Sequence, residues 1–223
     1  MEPDLGALYA AARMRITELV TGVDPHTVVA ATPEWTVHDV VGHLRGIVED
    51  ALTGNLDGVA TDPWTAAQVV RARQKSVGRL LDEWTAEAPM FEGFLSSPAG
   101  ATSARAVIDI HAHEADLRGA LGLPAAIPAA YGAFMFPLMA GGIAARAEGK
   151  SLPALRILSP DGDAVGPSDA AVLLRIGRHE LHRAALGRRC PEQMAAYDWS
   201  VADPAPYIAL MPAFGPRPDA LVD

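Results

Sequence analysis

Half of the 223 residues are hydrophobic, so the chain can bury a substantial core, and extended disorder is excluded. The length fits one large domain or two small ones. With 27 acidic against 18 basic residues, the formal net charge of -9 disfavours nucleic acid and anionic membrane surfaces as partners.

Amphipathic helices are predicted from the start of the chain. Over residues 5–20, apolar side chains recur at three- and four-residue steps, which is typical of a helix with one buried stripe. A second helix is predicted after Thr36, whose hydroxyl suits an N-cap, and Asp39 lies in the first turn, where an acidic side chain is favoured.

A loop and two further helices follow in the sequence. A glycine-containing stretch that ends in Asp62-Pro63 marks the loop, and a third helix is predicted over residues 69–84, ending before Pro89. A fourth helix is predicted from Ser103, a candidate cap, to Gly122. Four helices with short or moderate connections predict an antiparallel bundle.

The composition changes after Pro128, which places a domain boundary between residues 125 and 150. A further helix is predicted in the Ala- and Gly-rich segment, and the turn residues that follow predict a hairpin. The predicted elements are a helix at 131–147, a strand at 155–158 followed by the turn at 159–163, a further strand at 172–176, and short helices near 180–186 and 191–197.

Three residues on two predicted helices have the character of metal ligands. The single cysteine, Cys190, excludes an intrachain disulfide and a thiolate cluster, so a metal has to bind through histidine and carboxylate. Asp109 and His113 are four residues apart and project from one helix face, so both can reach one ion. His43, in the middle of the second helix, is the natural third ligand, while His111 faces away and is interpreted as a surface or second-site residue.

Two imidazoles and one carboxylate suit zinc, and three protein ligands leave a position for water or substrate. Asp116 follows His113 by three residues and is either the acceptor that orients its imidazole or a surface charge that pairs with Arg118. Spacing alone leaves a metal-free interpretation open, since most helical histidines are core or surface residues.

Other reactive residue types are interpreted as structural. Cys190 has no histidine at an activating spacing and is interpreted as a small apolar residue. His179 and His182 are three residues apart without an evident third ligand and are expected to be exposed. Trp35 is interpreted as a hydrophobic anchor at the start of the second helix.

The location of the protein is also predicted from the sequence. The first four residues do not begin a leader peptide, and no apolar run reaches the ~18 residues that a membrane span needs. We therefore expect a cytoplasmic protein.

Three stretches resemble the mycothiol-dependent maleylpyruvate isomerase family, whose bundles are related to DinB-like metal-binding bundles. Residues 33–44 (PEWTVHDVVGHL) resemble the start of the family's second helix, in which the histidine before leucine is a metal ligand. Residues 109–122 (DIHAHEADLRGALG) are similar to the segment whose acidic residue and histidine complete the triad. The third stretch comprises short matches to the family's second domain at residues 187–189, 197–199 and 204–207.

The resemblance spans nearly the whole chain and implies an α+β fold class. It implies a DinB-like four-helix bundle over residues 1–125, followed by a smaller α/β domain over residues 126–223, with His43, Asp109 and His113 as metal ligands. The family usually has glutamate at the position of Asp109. Either the helix lies closer to the ion, a water intervenes or the affinity is reduced. A separate alternative is that His111 is the ligand in place of Asp109.

The resemblance also implies an enzyme that uses mycothiol, a low-molecular-weight thiol, as cosubstrate for a small-molecule substrate. A zinc-bound thiol is deprotonated at neutral pH and serves equally in isomerisation and in thiol transfer. Arg118, Arg188 and Arg189 are candidate contacts to the carboxylates of an acidic substrate. The alternatives are a non-catalytic metal-binding module and a zinc-dependent hydrolase.

Overall fold

The computed structural model describes residues 3–222, and two compact units are distinguished within it. The first unit ends at Pro124 and the second spans Ala125–Val222. The described part leaves out residues 1 and 2, which belong to the segment considered for a leader peptide, and residue 223 of the predicted second domain. Among residues 3–222, no helix combines the length and apolar character needed to cross a bilayer.

Helices build the described part of the first unit. They are α1 (Leu5–Val20), α2 (Val37–Thr53), α3 (Asp62–Ala72), α4 (Val77–Leu95) and α5 (Ala104–Ala120). Both α1 and α2 pack against α4 and α5, so the four long helices close into a bundle, and α3 lies along α2. Each long helix buries an apolar stripe in the shared core, as the predicted periodicity requires. Fully buried examples are Ile16, Leu44, Trp84 and Ile110.

Local hydrogen bonds fix the start of α2 where the sequence predicts it. The Asp39 amide donates to Thr36 Oγ1 (3.4 Å), and the Thr36 amide donates to Asp39 Oδ2 (3.1 Å), which is a capping box with Asp in the usual Glu position. Gly54 ends the helix at φ 75°, a left-handed conformation that glycine adopts without strain. The predicted start of α2 is confirmed.

The prediction of a single helix over residues 69–84 that ends before Pro89 is wrong, because two helices, α3 and α4, occupy this part of the chain. Asp62-Pro63 begins α3 rather than forming a loop, because proline fits the first turn, where its missing N–H has no helical partner. A new helix, α4, starts after Ser76, which caps the Arg79 amide (3.2 Å). Pro89 lies inside α4 on its exposed face, where water can bond the carbonyl that proline leaves unpaired.

The second unit surrounds a small mixed sheet with helices. The strands are β1 (Leu155–Leu158), β2 (Ala164–Val165), β3 (Val172–Arg175) and β4 (Asp198–Trp199), in the order β2-β1-β3-β4. Strands β1 and β3 are parallel, whereas β2 and β4 pair antiparallel at the edges. The helices are α6 (Ala129–Gly149), α7 (Arg178–Ala185), α8 (Pro191–Ala195) and α9 (Ala205–Ile208).

The predicted hairpin joins β1 to β2. The Ser159 amide donates to the Asp163 carbonyl (2.9 Å). Gly162 adopts a φ of 95° in this turn, a conformation that glycine reaches without strain. Alternate residues of β1, Leu155 and Ile157, are buried under α6, which packs against this strand. A helical bundle followed by a smaller α/β unit is the predicted fold class, which is confirmed.

Candidate metal centre

Helices α2 and α5 bring three candidate ligands to one point. His43 Nε2 lies 3.3 Å from Asp109 Oδ2, and His113 Nε2 lies 3.8 Å from Asp109 Oδ1. One ligand atom from each of the three residues lies within 4.8 Å of the other two. Two atoms that each bind one zinc ion at about 2.1 Å with a tetrahedral angle are separated by about 3.4 Å. The observed spacing therefore fits direct ligation, and Asp109 reaches the centre in spite of its shorter side chain.

The outer nitrogens of the two imidazoles contact oxygen acceptors. His43 Nδ1 lies 2.8 Å from Gln68 Oε1, and His113 Nδ1 lies 3.2 Å from Asp116 Oδ2, a fully buried carboxylate. A carbonyl oxygen can only accept, so His43 Nδ1 donates to Gln68 Oε1. The Nε2 atoms of both imidazoles face the Asp109 carboxylate, and a cation held between these nitrogens and the carboxylate would satisfy all three groups.

Close packing of α3 on α2 places Gln68 beside His43. Gly42 and Gly46 form the contact surface on α2, where a Cβ at Gly42 would collide with the Ala72 side chain. A Cβ at Gly46 would lie 2.7 Å from Gln68 Cβ. Two glycines one turn apart thus permit the approach, and the buried Gln68 side chain reaches the imidazole.

Trp35 forms one wall of the centre. Its ring stacks on His113, with 5.6 Å between centroids and 30° between planes, and lies 5.1 Å from the His43 ring. The interpretation of Trp35 as an anchor for the start of α2 is thus incomplete, because the side chain also covers both imidazoles. An aromatic wall excludes water from one side of the two candidate ligands.

His111 is buried, so its interpretation as a surface residue is wrong. Its Nδ1 donates to the Val107 carbonyl (2.8 Å), and its Nε2 lies 3.5 Å from Arg15 Nη2. Burial lowers the pKa of His111 to about 4, and the Arg15 charge acts in the same direction. Helix α5 packs against α1 as well as α2, so residues outside the metal-facing stripe are also enclosed. The structure does not bring His111 to the other three ligands.

Asp116 and Arg118 have different surroundings. Asp116 lies 3.2 Å from the His113 ring and is buried, so its interpretation as a surface charge is wrong, and its role as the acceptor that orients the ring stays a prediction. Arg118 Nε donates to the Pro124 carbonyl (2.9 Å) near the end of the first unit.

The other two predicted arginines belong to the second unit. Arg188 Nη1 donates to the Leu186 carbonyl (2.9 Å). Arg189 is buried and donates from Nε and Nη2 to the two carboxylate oxygens of Glu180 (2.9 and 2.7 Å). Such a paired interaction fixes the guanidinium plane, so a substrate carboxylate at Arg189 would have to displace Glu180.

The remaining histidines and the cysteine of the second unit are not all exposed. His182 is fully buried, and its Nε2 lies 2.9 Å from the Tyr131 hydroxyl, so the expectation of an exposed side chain is wrong. His179 is half-buried. Cys190 is buried, in agreement with its interpretation as a small apolar residue.

Sequence analysis missed Gln68 and Asp50, which lie behind His43. Gln68 Nε2 donates to Asp50 Oδ2 (2.7 Å), and both side chains are buried. The sequence contains part of the signal, because Asp50 follows His43 by seven residues and so lies on the same face of α2. Gln68 falls outside the predicted helices, since Asp62-Pro63 is typical of a loop.

The fold and the centre define a class, namely a four-helix bundle with a His-Asp-His group that fits a divalent metal, followed in the chain by a small α/β unit.

Among solved structures, the mycothiol-dependent maleylpyruvate isomerase is similar, with a TM-score of 0.59, 14% identity, and coverage of 91% of this chain and 97% of that chain. A histidine-to-alanine variant of it matches at a TM-score of 0.58 with the same identity and coverage. The fold implied by the sequence resemblance is therefore confirmed. No protein-family model and no curated protein sequence matched the chain.

Proposed function

We propose that this protein is a zinc-dependent enzyme that uses mycothiol as cosubstrate in the isomerisation of a small acidic molecule or in thiol transfer to it. The observation that carries the proposal is the convergence of His43, Asp109 and His113, in a fold shared with a mycothiol-dependent isomerase. Borderline-soft zinc accepts both imidazole nitrogen and thiolate sulfur, which harder cations such as magnesium do not favour.

Three protein ligands leave a coordination position open for the thiol. A zinc ion held by His43, Asp109 and His113 would favour deprotonation of a thiol bound in that position, which would supply a nucleophile at neutral pH. The chain's own residues orient the site. The Asp116 carboxylate, 3.2 Å from His113 Nδ1, is proposed to orient that ring, while Trp35 shields both imidazoles on one side.

The arginines are proposed contacts to the substrate carboxylates. Arg118 and Arg188 are half-buried, and each donates to a backbone carbonyl. A guanidinium has five N–H donors, so it can bond a carbonyl and a carboxylate together. Arg189 serves the same role only by exchanging Glu180 for substrate. A thiol-dependent reaction also requires a reducing compartment, and we propose the cytoplasm.

The test is turnover of maleylpyruvate by purified, zinc-loaded protein with and without mycothiol. We expect turnover only when the thiol is present. Turnover without thiol indicates a hydrolase instead, and zinc binding without any turnover of maleylpyruvate or thiol transfer to it indicates a non-catalytic module. Either result refutes a mycothiol-dependent activity on maleylpyruvate.

Metal analysis tests the site independently of the reaction. His43→Ala removes one of three ligands, so we expect it to lose bound zinc and activity. The matched control is Asp57→Asn, at an exposed loop position, which should retain both. Equal zinc content in wild type and His43→Ala would refute the site.

A further inference from the structure

A row of buried polar side chains connects the candidate ligand His43 to the surface of the bundle. Gln68 is 1% exposed and Asp50 is 2% exposed. The Gln68 amide bridges the two, with Oε1 at 2.8 Å from His43 Nδ1 and Nε2 at 2.7 Å from Asp50 Oδ2. The row ends at Arg71, whose side chain is exposed.

Donor and acceptor chemistry gives this row one polarity. Asp50 Oδ1 accepts from Arg71 Nη2 (2.7 Å) and Asn55 Nδ2 (2.9 Å), so the carboxylate is surrounded by donors. An ionised carboxylate can only accept, which requires the Gln68 NH₂ group to face Asp50 and its carbonyl oxygen to face His43. The His43 Nδ1 must then donate, which leaves Nε2, 3.3 Å from Asp109 Oδ2, as the nitrogen that can bind a metal ion shared with that carboxylate.

We propose that Gln68 and Asp50 are positioning residues that select the metal-binding tautomer of His43. This inference rests on the proposed metal site and adds a role for residues outside the ligand set. The alternative is that the row only joins α2 to α3. These two roles make different demands on the side chains. Joining α2 to α3 requires only that the side chains remain hydrogen-bonded, whereas tautomer selection requires a carbonyl or carboxylate oxygen at His43 Nδ1.

Single substitutions should weaken zinc binding without removing a ligand. Gln68→Met keeps the length of the side chain but has no acceptor for Nδ1. Asp50→Asn lets the Gln68 amide turn, so that NH₂ faces His43 and selects the tautomer with Nε2 protonated. Loss of such an outer partner lowers metal affinity by about 10–100-fold. We expect this loss in both variants, measured by competition with a chromogenic zinc chelator.

Exchange of the two groups provides a rescue. In the double variant Asp50→Asn and Gln68→Glu, the new amide donates to the new carboxylate, which again accepts from His43 Nδ1. Zinc affinity of the double variant should recover toward the wild-type value. The single variant Gln68→Glu places two carboxylates in contact and should bind zinc weakly. Gln74→Met and Asp57→Asn are exposed controls with the same chemical changes and should bind zinc as wild type does.

The ¹⁵N chemical shifts of the His43 ring in the zinc-loaded protein show which ring nitrogen binds the metal and which carries the proton. We expect a zinc-bound Nε2 and a protonated Nδ1 in the wild type and in the double variant. A zinc-bound Nδ1 in the wild type, or wild-type zinc affinity in Gln68→Met, would overturn the inference. The wild-type measurement needs no variant to fold.

His43→Ala distinguishes the two proposals. If that variant loses zinc while Gln68→Met binds normally, only the role of Gln68 and Asp50 fails. If His43→Ala retains zinc, the metal site itself fails.

Discussion

Replacement of Gly46 by alanine tests the close approach of α3 to α2. The new Cβ would lie 2.7 Å from Gln68 Cβ and 2.8 Å from Gln68 Cγ. Carbon atoms pack best at about 3.5–4.0 Å, so α3 would have to move by about 0.8 Å. Overpacking of this kind costs about 1–3 kcal/mol, against a gain of about 0.5–1 kcal/mol from the higher helix propensity of alanine. We expect net destabilisation of up to about 2.5 kcal/mol.

Gly93→Ala is the matched control because a Cβ there meets nothing within 4 Å. The position is helical and exposed, so alanine should stabilise it by about 0.5–1 kcal/mol. The free energies of unfolding, measured by urea denaturation, should therefore differ between the two variants by about 1–3 kcal/mol, which is the packing cost alone. Equal changes in both variants would refute the close packing of α3 on α2.

Two further predictions concern an ion pair and a rejected ligand. The bidentate contact from Arg178 (2.7 and 2.9 Å) holds the pKa of Asp163 below its usual range. The pair therefore contributes stability above a pH of about 4, and this contribution is lost as the pH falls through the folded-state pKa. Arg178→Gln should raise the pKa of Asp163 in a ¹³C carboxyl titration and cost less than about 1 kcal/mol at neutral pH, because the pair is close to solvent. An unchanged pKa would show that Arg178 does not cause the shift. His111→Gln should keep the wild-type zinc content, because its ring bonds the Val107 carbonyl rather than facing the centre, and a loss equal to that of His43→Ala would make it a ligand.

Local sequence predicts those elements whose signals act within one turn. The α2 start follows from Thr36 and Asp39, which satisfy each other's backbone amides without any distant residue. The β1–β2 hairpin follows in the same way from the turn residues 159–163. The prediction of the third helix is wrong, because Asp62-Pro63 and Pro89 act as helix breakers only where proline removes a bond that the helix needs.

The sequence by itself determined that Asp109 and His113 share a face, because a four-residue step along a helix fixes their relative direction. It also determined that any metal must bind through imidazole and carboxylate, since the chain has one cysteine. Only the tertiary structure decided that His43 approaches Asp109 within 3.3 Å and that Gln68 bonds the outer nitrogen of His43. These distances depend on how closely separate helices pack, which small residues such as Gly46 set through contacts that are distant in the chain.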